Sequence, residues 1–268
     1  MTDLHFAGIT ESAKSQHVRA RSRENLRQYI EVVHHTGESV NYDRDAMLDR
    51  FQSYAGETRE SAKETNAFVK KLGFLDRSNK PTTAGEFAGE VAAQSRMDLL
   101  RDMFIQHFRA MPTIAYTLDI MLNFNEVLTS EEIHDEMVKI ATTDSSSQAN
   151  SVRNALNILE EFGVVNKFDD GHKCIRRTQP TLEAIPYGIF LLGVDRATVD
   201  APVLRERLPR LVHCEPESCE KLLKKARKRY NLFTYRTTGD TSRTTPFGGI
   251  FEVQVGDELF TALRNNLL

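Results

Sequence analysis

Cysteine is scarce in this chain, and its copies fit neither a disulfide framework nor a zinc site. Cys174, Cys214 and Cys219 are odd in number, form no C-x-x-C motif and have no histidine at zinc-ligand spacing. Disulfides persist in oxidising compartments, whereas intracellular proteins keep their thiols reduced. The cysteines therefore favour a reduced, cytoplasmic protein.

Long apolar runs and the common catalytic motifs are also missing. No stretch has the roughly 20 apolar residues of a membrane-spanning helix, and the N-terminus lacks the apolar region of a signal peptide. The chain contains no Walker-type phosphate loop, no G-x-G-x-x-G and no G-x-S-x-G motif. We therefore expect a cytoplasmic protein with no membrane partner, no catalytic residues, no cofactor and no metal.

An excess of positive charge is absent too. The 268 residues carry a formal net charge of -3, which argues against a histone-like protein that binds nucleic acid through its overall charge. Any contact with nucleic acid must therefore be local. The length allows two or three domains, and a hydrophobic content of 40% is enough to give each a core.

The segment 128–178 carries signals for two successive helices. Thr129 and Glu132 form a T-x-x-E capping box, and Ser145 and Gln148 form an S-x-x-Q box that opens the second helix. The spacing i, i+3, i+4, i+7 then predicts a buried stripe of Val152, Ala155, Leu156 and Leu159. The other face is polar and nearly free of acid, with Ser147, Asn150, Ser151, Arg153, Asn154 and Asn157.

A β-hairpin is predicted to end the same segment. Gly163 stops the second helix in a left-handed conformation, and 164–168 and 172–178 have the pattern of strands around the turn 169–171. Helix, turn, helix and hairpin resemble the winged-helix branch of the helix-turn-helix folds. The resemblance implies that the second helix enters the DNA major groove and that the hairpin, called the wing, lies along the phosphates.

The end of this second helix has a counterpart 90 residues earlier. Residues 67–76 align with 157–166, and from the second position onward both have two apolar residues, two charges, an apolar residue, glycine, two apolar residues and Asx. Duplication of one supersecondary unit explains the match. The apolar segment 101–124 is predicted to be core between packed helices, with a dimer interface as the alternative.

A third unit is predicted beyond Pro180. Helices are expected near 186–192, 202–211 and 216–230, followed by strands at 232–236 and 250–255 around a long wing, with Asn231 in the place of Gly163. The chain is thus predicted to be mainly α with small β-hairpin wings, an α+β fold of tandem winged helix-turn-helix domains. Its predicted parts are a basic tail at 1–23 and modules at 24–111 (with closing helices), 112–180 and 181–268.

Positive charge is concentrated in the third unit. Between 213 and 243, eight basic residues stand against four acidic ones. Clustered Lys and Arg are typical of a nucleic-acid surface, with a solvated helix face as the alternative. Arginine can pair with guanine and asparagine with adenine. The residues predicted to contact DNA are Arg59, Lys63, Ser147, Asn150, Arg153, Asn154, Asn157, Lys167, Lys173, Arg176, Arg177, Lys221, Lys224, Lys225, Lys228, Arg236 and Arg243.

Two functions fit these patterns. One is a non-catalytic protein that binds double-stranded DNA, as a transcriptional regulator or as the DNA-recognition subunit of a multi-component restriction or phage-defence system. The alternative is an adaptor whose winged helices contact partner proteins, in a larger complex or a homodimer. Because phosphate contacts release counterions, only DNA binding should weaken steeply with salt.

Overall fold

The described residues form two compact units. The computed structural model describes residues 22–140, 148–176, 179–193, 198–230, 234–237, 250–254 and 258–265. Residues 22–175 belong to one unit, the N-terminal unit, and the residues from 176 onward belong to the other, the C-terminal unit. The fold is mainly helical with small antiparallel sheets, in agreement with the predicted α+β class. None of the described helices is both long and apolar enough to cross a membrane.

The described part of the N-terminal unit contains eight α-helices and one hairpin. The helices are α1 (Arg23–Thr36), α2 (Arg44–Ala55), α3 (Arg59–Lys71), α4 (Thr83–Ala93), α5 (Met97–His107), α6 (Pro112–Phe124), α7 (Ser130–Ile140) and α8 (Gln148–Glu161). Strands β1 (Val165–Phe168) and β2 (Gly171–Cys174) pair antiparallel.

Side-chain caps explain where several helices begin. The hydroxyl of Thr58 accepts from the Ser61 N–H at 3.2 Å, and the Asp43 carboxylate accepts from the Ala46 N–H at 2.9 Å. The predicted box at Thr129 is confirmed, because its N–H donates to Glu132 at 2.8 Å and its hydroxyl accepts from the Glu132 N–H at 3.2 Å. These bonds satisfy backbone donors that have no partner within the helix. The second predicted box, at Ser145, lies outside the described residues.

Most apolar residues of the segment 101–124 are core, as predicted, but Phe124 at its end is exposed. Phe104, Phe108 and Met111 are fully buried. Phe162, at the end of α8, packs edge-to-face on Phe104 and Phe108, with ring centroids 5.6 and 4.8 Å apart. Aromatic packing therefore fixes the end of α8 against the region around α5.

The predicted repeat corresponds to two helix ends with the same hydrogen bonds. Gly73 and Gly163 both have positive φ, +85° and +67°. The Gly73 N–H donates to the Lys70 carbonyl at 2.9 Å, and the Gly163 N–H donates to the Glu160 carbonyl at 2.9 Å. One residue later, Phe74 and Val164 each accept a backbone bond from the chain returning from the following turn. The same helix stop and the same return of the chain therefore occur twice, 90 residues apart.

Ser151 was predicted on the wrong face of α8. Its predicted place was the exposed polar face, but the residue is only 7% exposed. The buried face of α8 is wider than the predicted stripe of four apolar residues, because the helix packs against both α6 and α7. This face also includes Ile158. Contact with two helices covers more of a helix surface than a single apolar stripe.

The described C-terminal unit combines helices with a three-stranded sheet. Its elements are α9 (Ala184–Gly193), β3 (Thr198–Asp200), α10 (Ala201–Leu211), α11 (Pro216–Tyr230), β4 (Thr234–Thr237), β5 (Ile250–Gln254) and α12 (Glu258–Asn265). The sheet order is β3-β5-β4, with all pairs antiparallel. The helices near 186, 202 and 216 and both late strands were predicted, whereas β3 and α12 were not. A three-residue strand is too short to show a period in the sequence.

The two units share an order of elements and a pairing of strands. In the N-terminal unit, Leu128 precedes α7 and exchanges two backbone hydrogen bonds, of 2.9 and 2.8 Å, with His172 of β2. In the C-terminal unit, β3 precedes α10 and pairs with β5. In each case a helix is followed by an extended segment, two helices and a hairpin, and the extended segment pairs with the hairpin's second strand. Gly171 permits this approach, because a Cβ atom there would lie 2.6 Å from the Leu128 carbonyl oxygen.

A buried histidine makes the stability of the fold depend on pH. His107 is 5% exposed, stacks on Phe74 and places its Nδ1 2.7 Å from the Leu72 carbonyl oxygen. Because a carbonyl only accepts, Nδ1 must carry the hydrogen. Burial lowers the pKa of His107 from 6.5 to about 4.

We expect the N-terminal unit to lose stability between about pH 6.5 and pH 4. The unfolded chain takes up the His107 proton in this range before the folded protein does, so the loss approaches about 3 kcal/mol below pH 4. Urea unfolding from pH 7.5 to 4.5 measures it. His107→Gln should flatten the dependence relative to wild type, and His35→Gln, at an exposed position, serves as the control. Equal slopes in wild type and His107→Gln would refute this assignment.

Candidate nucleic-acid interface

Three helices follow a helix pair and precede a turn or hairpin, and their exposed faces differ in charge. They are α3, α8 and α11. After α3 and α8 the chain turns and returns as described above, and after α11 the next described element is strand β4. Residues at i, i+3, i+4 and i+7 lie on one face of a helix. The residues that have this spacing on the solvent-facing side of each helix are called its exposed set.

On α11 the exposed set consists entirely of lysine. Lys221, Lys224, Lys225 and Lys228 are all exposed, and Arg227 and Arg229 flank them. The opposite face buries Cys219, Leu223, Ala226 and Tyr230, where the helix packs on α9 and α10. The buried stripe fixes the rotation of the helix, so the four lysines must project away from the unit.

Among the described residues, few acidic side chains pair with these lysines. Lys224 Nζ forms an i,i+4 ion pair with Glu220 at 2.6 Å. Lys221, Lys225 and Lys228 make no hydrogen bond or ion pair with another described residue. Their positive charge is therefore available to an anionic partner. The basic residues near the C-terminal end of α11 also suit the helix dipole, which is the alternative reason for their presence.

Basic residues also occur on α10, which packs against α11, and the sequence-based prediction missed them. Arg205 is exposed, and Arg207 and Arg210 are half-buried. Together α10 and α11 carry nine basic residues against three acidic ones. The signal was present in the sequence, since these three arginines lie shortly before the predicted basic segment 213–243.

On α8 the exposed set is polar but almost uncharged. It contains Asn150, Arg153, Asn154 and Asn157, which are exposed except for the half-buried Asn154. The three asparagine side chains make no hydrogen bond with a described residue. Asparagine within a helix costs roughly 0.5 kcal/mol relative to alanine, and here no bond within the described fold offsets that cost. Arg153 Nη2 pairs with Glu131 of α7 at 2.8 Å.

On α3 the corresponding cations are already paired. Arg59 forms ion pairs with Asp45 and Asp49 of α2, and Lys63 lies 3.7 Å from Glu60. Both positions were predicted to contact DNA. These ion pairs leave α3 with less unpaired positive charge than α11.

The remaining predicted positions are divided between the hairpins and regions outside the described residues. In the hairpin register Lys167 is opposite His172 and Lys173 is opposite Asn166, next to the turn that contains Asp169 and Asp170. Arg176 lies 3.5 Å from Glu215. Arg236 is opposite Glu252 in the strand register. Ser147, Arg177, Arg243 and Asn231 lie outside the described residues.

The buried cysteines of the C-terminal unit are poorly suited to nucleophilic chemistry. Cys214 and Cys219 are 1% and 0% exposed. A hydrogen bond to Cys214, together with burial, raises the pKa of Cys219. The thiolate is the reactive form of cysteine, so the Cys219 thiol is held in the unreactive state. Among the described residues, no group of three or more His, Cys, Asp and Glu is placed to hold a metal ion.

Comparison of the chain with models of protein families, with curated proteins and with solved structures gives no match.

Proposed function

We propose that this protein binds double-stranded DNA without catalysis, through tandem winged helix-turn-helix modules. The observation that carries the proposal is the face of four exposed lysines on α11, three of which have no partner among the described residues. Concentrated positive charge within a chain of net charge -3 is the pattern expected of a local phosphate-binding surface.

The arrangement of elements supports the winged-helix interpretation. Both units contain a helix, an extended segment, two helices and a hairpin, and the extended segment pairs with the last strand. In winged-helix proteins the second helix of the helix pair lies in the major groove. That place is occupied here by α11 in the C-terminal unit and by α8 in the N-terminal unit.

The two helices suit different parts of DNA. The lysines of α11 suit phosphates, whose contacts are independent of sequence. The asparagines of α8 suit base edges, since an amide can bond to both N6 and N7 of adenine. The protein would then serve as a regulator or as the recognition subunit of a restriction or phage-defence system, in the cytoplasm.

Binding to random-sequence duplex should weaken steeply with salt. If about four phosphates are neutralised, log K should fall with log salt with a slope of roughly -4. Electrophoretic mobility shifts of a 30-base-pair random duplex, from about 50 to 300 mM NaCl, measure this slope. Absence of binding at the lowest salt would exclude the proposal. Binding to co-purified protein with little salt dependence would favour the alternative, an adaptor that contacts proteins.

A further inference from the structure

A second group of basic residues lies on the N-terminal unit, where the end of α3 leads into the turn before α4. The segment 70–80, called the basic turn, contains four basic residues and one acidic residue, which are Lys70, Lys71, Arg77, Lys80 and Asp76. All four basic residues are exposed except Lys70, which is half-buried. Arg44, the exposed first residue of α2, lies close enough for its charge to act on the Lys70 ammonium group. None of these five cations was predicted to contact DNA.

Hydrogen bonds hold the basic turn in one conformation. The Asp76 N–H donates to the Lys80 carbonyl oxygen at 2.8 Å and closes the turn. Asn79 has a left-handed conformation, with φ of +65°, and its side chain is buried. There its Oδ1 accepts a hydrogen bond of 3.4 Å from Asn66 of α3. The cations are therefore presented by an ordered segment, which reduces the entropy lost on binding.

The single carboxylate of the basic turn offsets only part of its positive charge. Asp76 Oδ1 accepts from the Ser78 hydroxyl at 2.8 Å and from the backbone N–H groups of Ser78 and Lys80 at 2.8 and 2.9 Å. The bond from the Ser78 hydroxyl, the two backbone bonds and the charge of Lys80 lower the pKa of Asp76. At pH 7, four positive charges and one negative charge leave a balance of +3 in this segment.

The cations of this surface are not taken up by ion pairs. No hydrogen bond or ion pair with another described residue is formed by the side chains of Arg44, Lys71, Arg77 and Lys80. Lys70 Nζ donates to the Arg77 carbonyl oxygen at 3.1 Å, which is a neutral acceptor. Burial and the charge of Arg44 lower the pKa of Lys70 despite the nearby Asp76, so like charges lie close together here. Lysines at the end of α3 suit the helix dipole, but Arg77 and Lys80 lie beyond the helix.

We propose that the basic turn and Arg44 form a second surface that contacts the phosphates of double-stranded DNA. This inference rests on the proposed function and names the part of the N-terminal unit that contacts the DNA backbone. The cations come from α2, α3 and the turn, so they suit a partner with several phosphates along its length. The predicted contacts Arg59 and Lys63 on α3 suit it less well, because both lie in ion pairs with acidic residues.

The double variant Arg77→Glu/Lys80→Glu tests this surface in the full chain. At roughly 0.1 M salt it should bind random-sequence duplex about 50-fold more weakly than wild type, with a slope of log K against log salt that is less steep by about 2. Fluorescence anisotropy of a labelled duplex measures both quantities. The hydrogen bonds at positions 77 and 80 use backbone atoms, so the turn should keep its conformation, and far-ultraviolet circular dichroism checks the fold. Arg77→Gln/Lys80→Gln adds no negative charge and should lose about tenfold.

A matched double reversal in the same unit controls for net charge. Arg50 of α2 and Lys139 of α7 are exposed and lie outside the basic turn and the predicted DNA contacts. Arg50→Glu/Lys139→Glu changes the net charge by the same amount and should weaken binding by less than about fivefold. The slope of log K against log salt should stay close to that of wild type.

Four results would overturn the inference, and they separate its failure from that of the proposed function. If Arg77→Glu/Lys80→Glu binds duplex as wild type does while Lys224→Glu/Lys228→Glu binds more weakly, only the basic turn is excluded. If wild type does not bind duplex, the proposed function fails as well. Equal losses in the turn variant and its matched control would show an effect of net charge alone. Binding to vesicles of phosphatidylserine and phosphatidylcholine that the turn variant loses, with unchanged duplex binding, would assign the surface to a membrane instead.

Discussion

The double variant Lys224→Glu/Lys228→Glu should bind random-sequence duplex about 100-fold more weakly than wild type at roughly 0.1 M salt. Both lysines are exposed on the face of α11 opposite its buried stripe. Each reversal removes a cation near a phosphate and adds a repelling anion. The slope of log K against log salt should become less steep by about 2, because two counterions fewer are released. Fluorescence anisotropy of a labelled duplex across a salt series measures both quantities.

A matched reversal distinguishes local contact from a change in net charge. Lys139 is exposed on α7 and paired with Glu136, outside the residues predicted to contact DNA. The single reversal Lys139→Glu should shift affinity by less than about threefold and keep the slope. If Lys139→Glu weakens binding as much as Lys224→Glu does alone, the specific role of α11 is excluded.

Asn154→Ala should have a different effect from the lysine reversals. Its amide can address base edges, so its loss should change which duplexes bind best while affinity for random duplex and the salt slope stay close to wild type. Selection of bound sequences from a random pool measures this preference. If Asn154→Ala weakens binding to all sequences equally, the proposal that α8 contacts base edges is contradicted.

Phe162→Ala should destabilise the N-terminal unit by about 3–5 kcal/mol. The ring is 1% exposed and contacts Phe104 and Phe108 edge-to-face. Its removal leaves a cavity at the end of α8 that a close-packed core fills only in part. Urea unfolding followed by circular dichroism gives the change in unfolding free energy.

The control for this change is a phenylalanine on the surface. Phe124 is 45% exposed at the end of α6, so Phe124→Ala should cost less than about 1 kcal/mol. Similar losses for the two variants would show that Phe162 does not join α8 to the region around α5. A fall in the slope of the transition would indicate that the variant unfolds in separate steps.

Local chemistry accounts for the parts of the fold that were predictable. The Thr129 box, the stops at Gly73 and Gly163 and the buried stripe of α8 each depend on residues within about eight positions of one another. Caps, left-handed stops and helical periodicity act over such distances. They were therefore visible in the sequence before any packing was known.

The features that were not predicted depend on contacts between residues far apart in the sequence. Ser151 is buried because α8 packs on two helices, and β3 exists because it pairs with β5, more than 50 residues away. The pairing of Arg59 with Asp45 and Asp49 likewise needs α2 to lie beside α3. A charge counted in the sequence says nothing about whether a neighbouring helix neutralises it.

Residue order alone thus specified where several of the helices start or stop, that one block recurs after 90 residues, and that basic residues cluster near 221–229. The folded chain decided which of those basic residues face outward without an acidic partner among the described residues. The physical reason is one of distance. Caps and helical periods act between near neighbours in the chain, whereas burial, charge neutralisation and concave surfaces arise only when distant segments pack together.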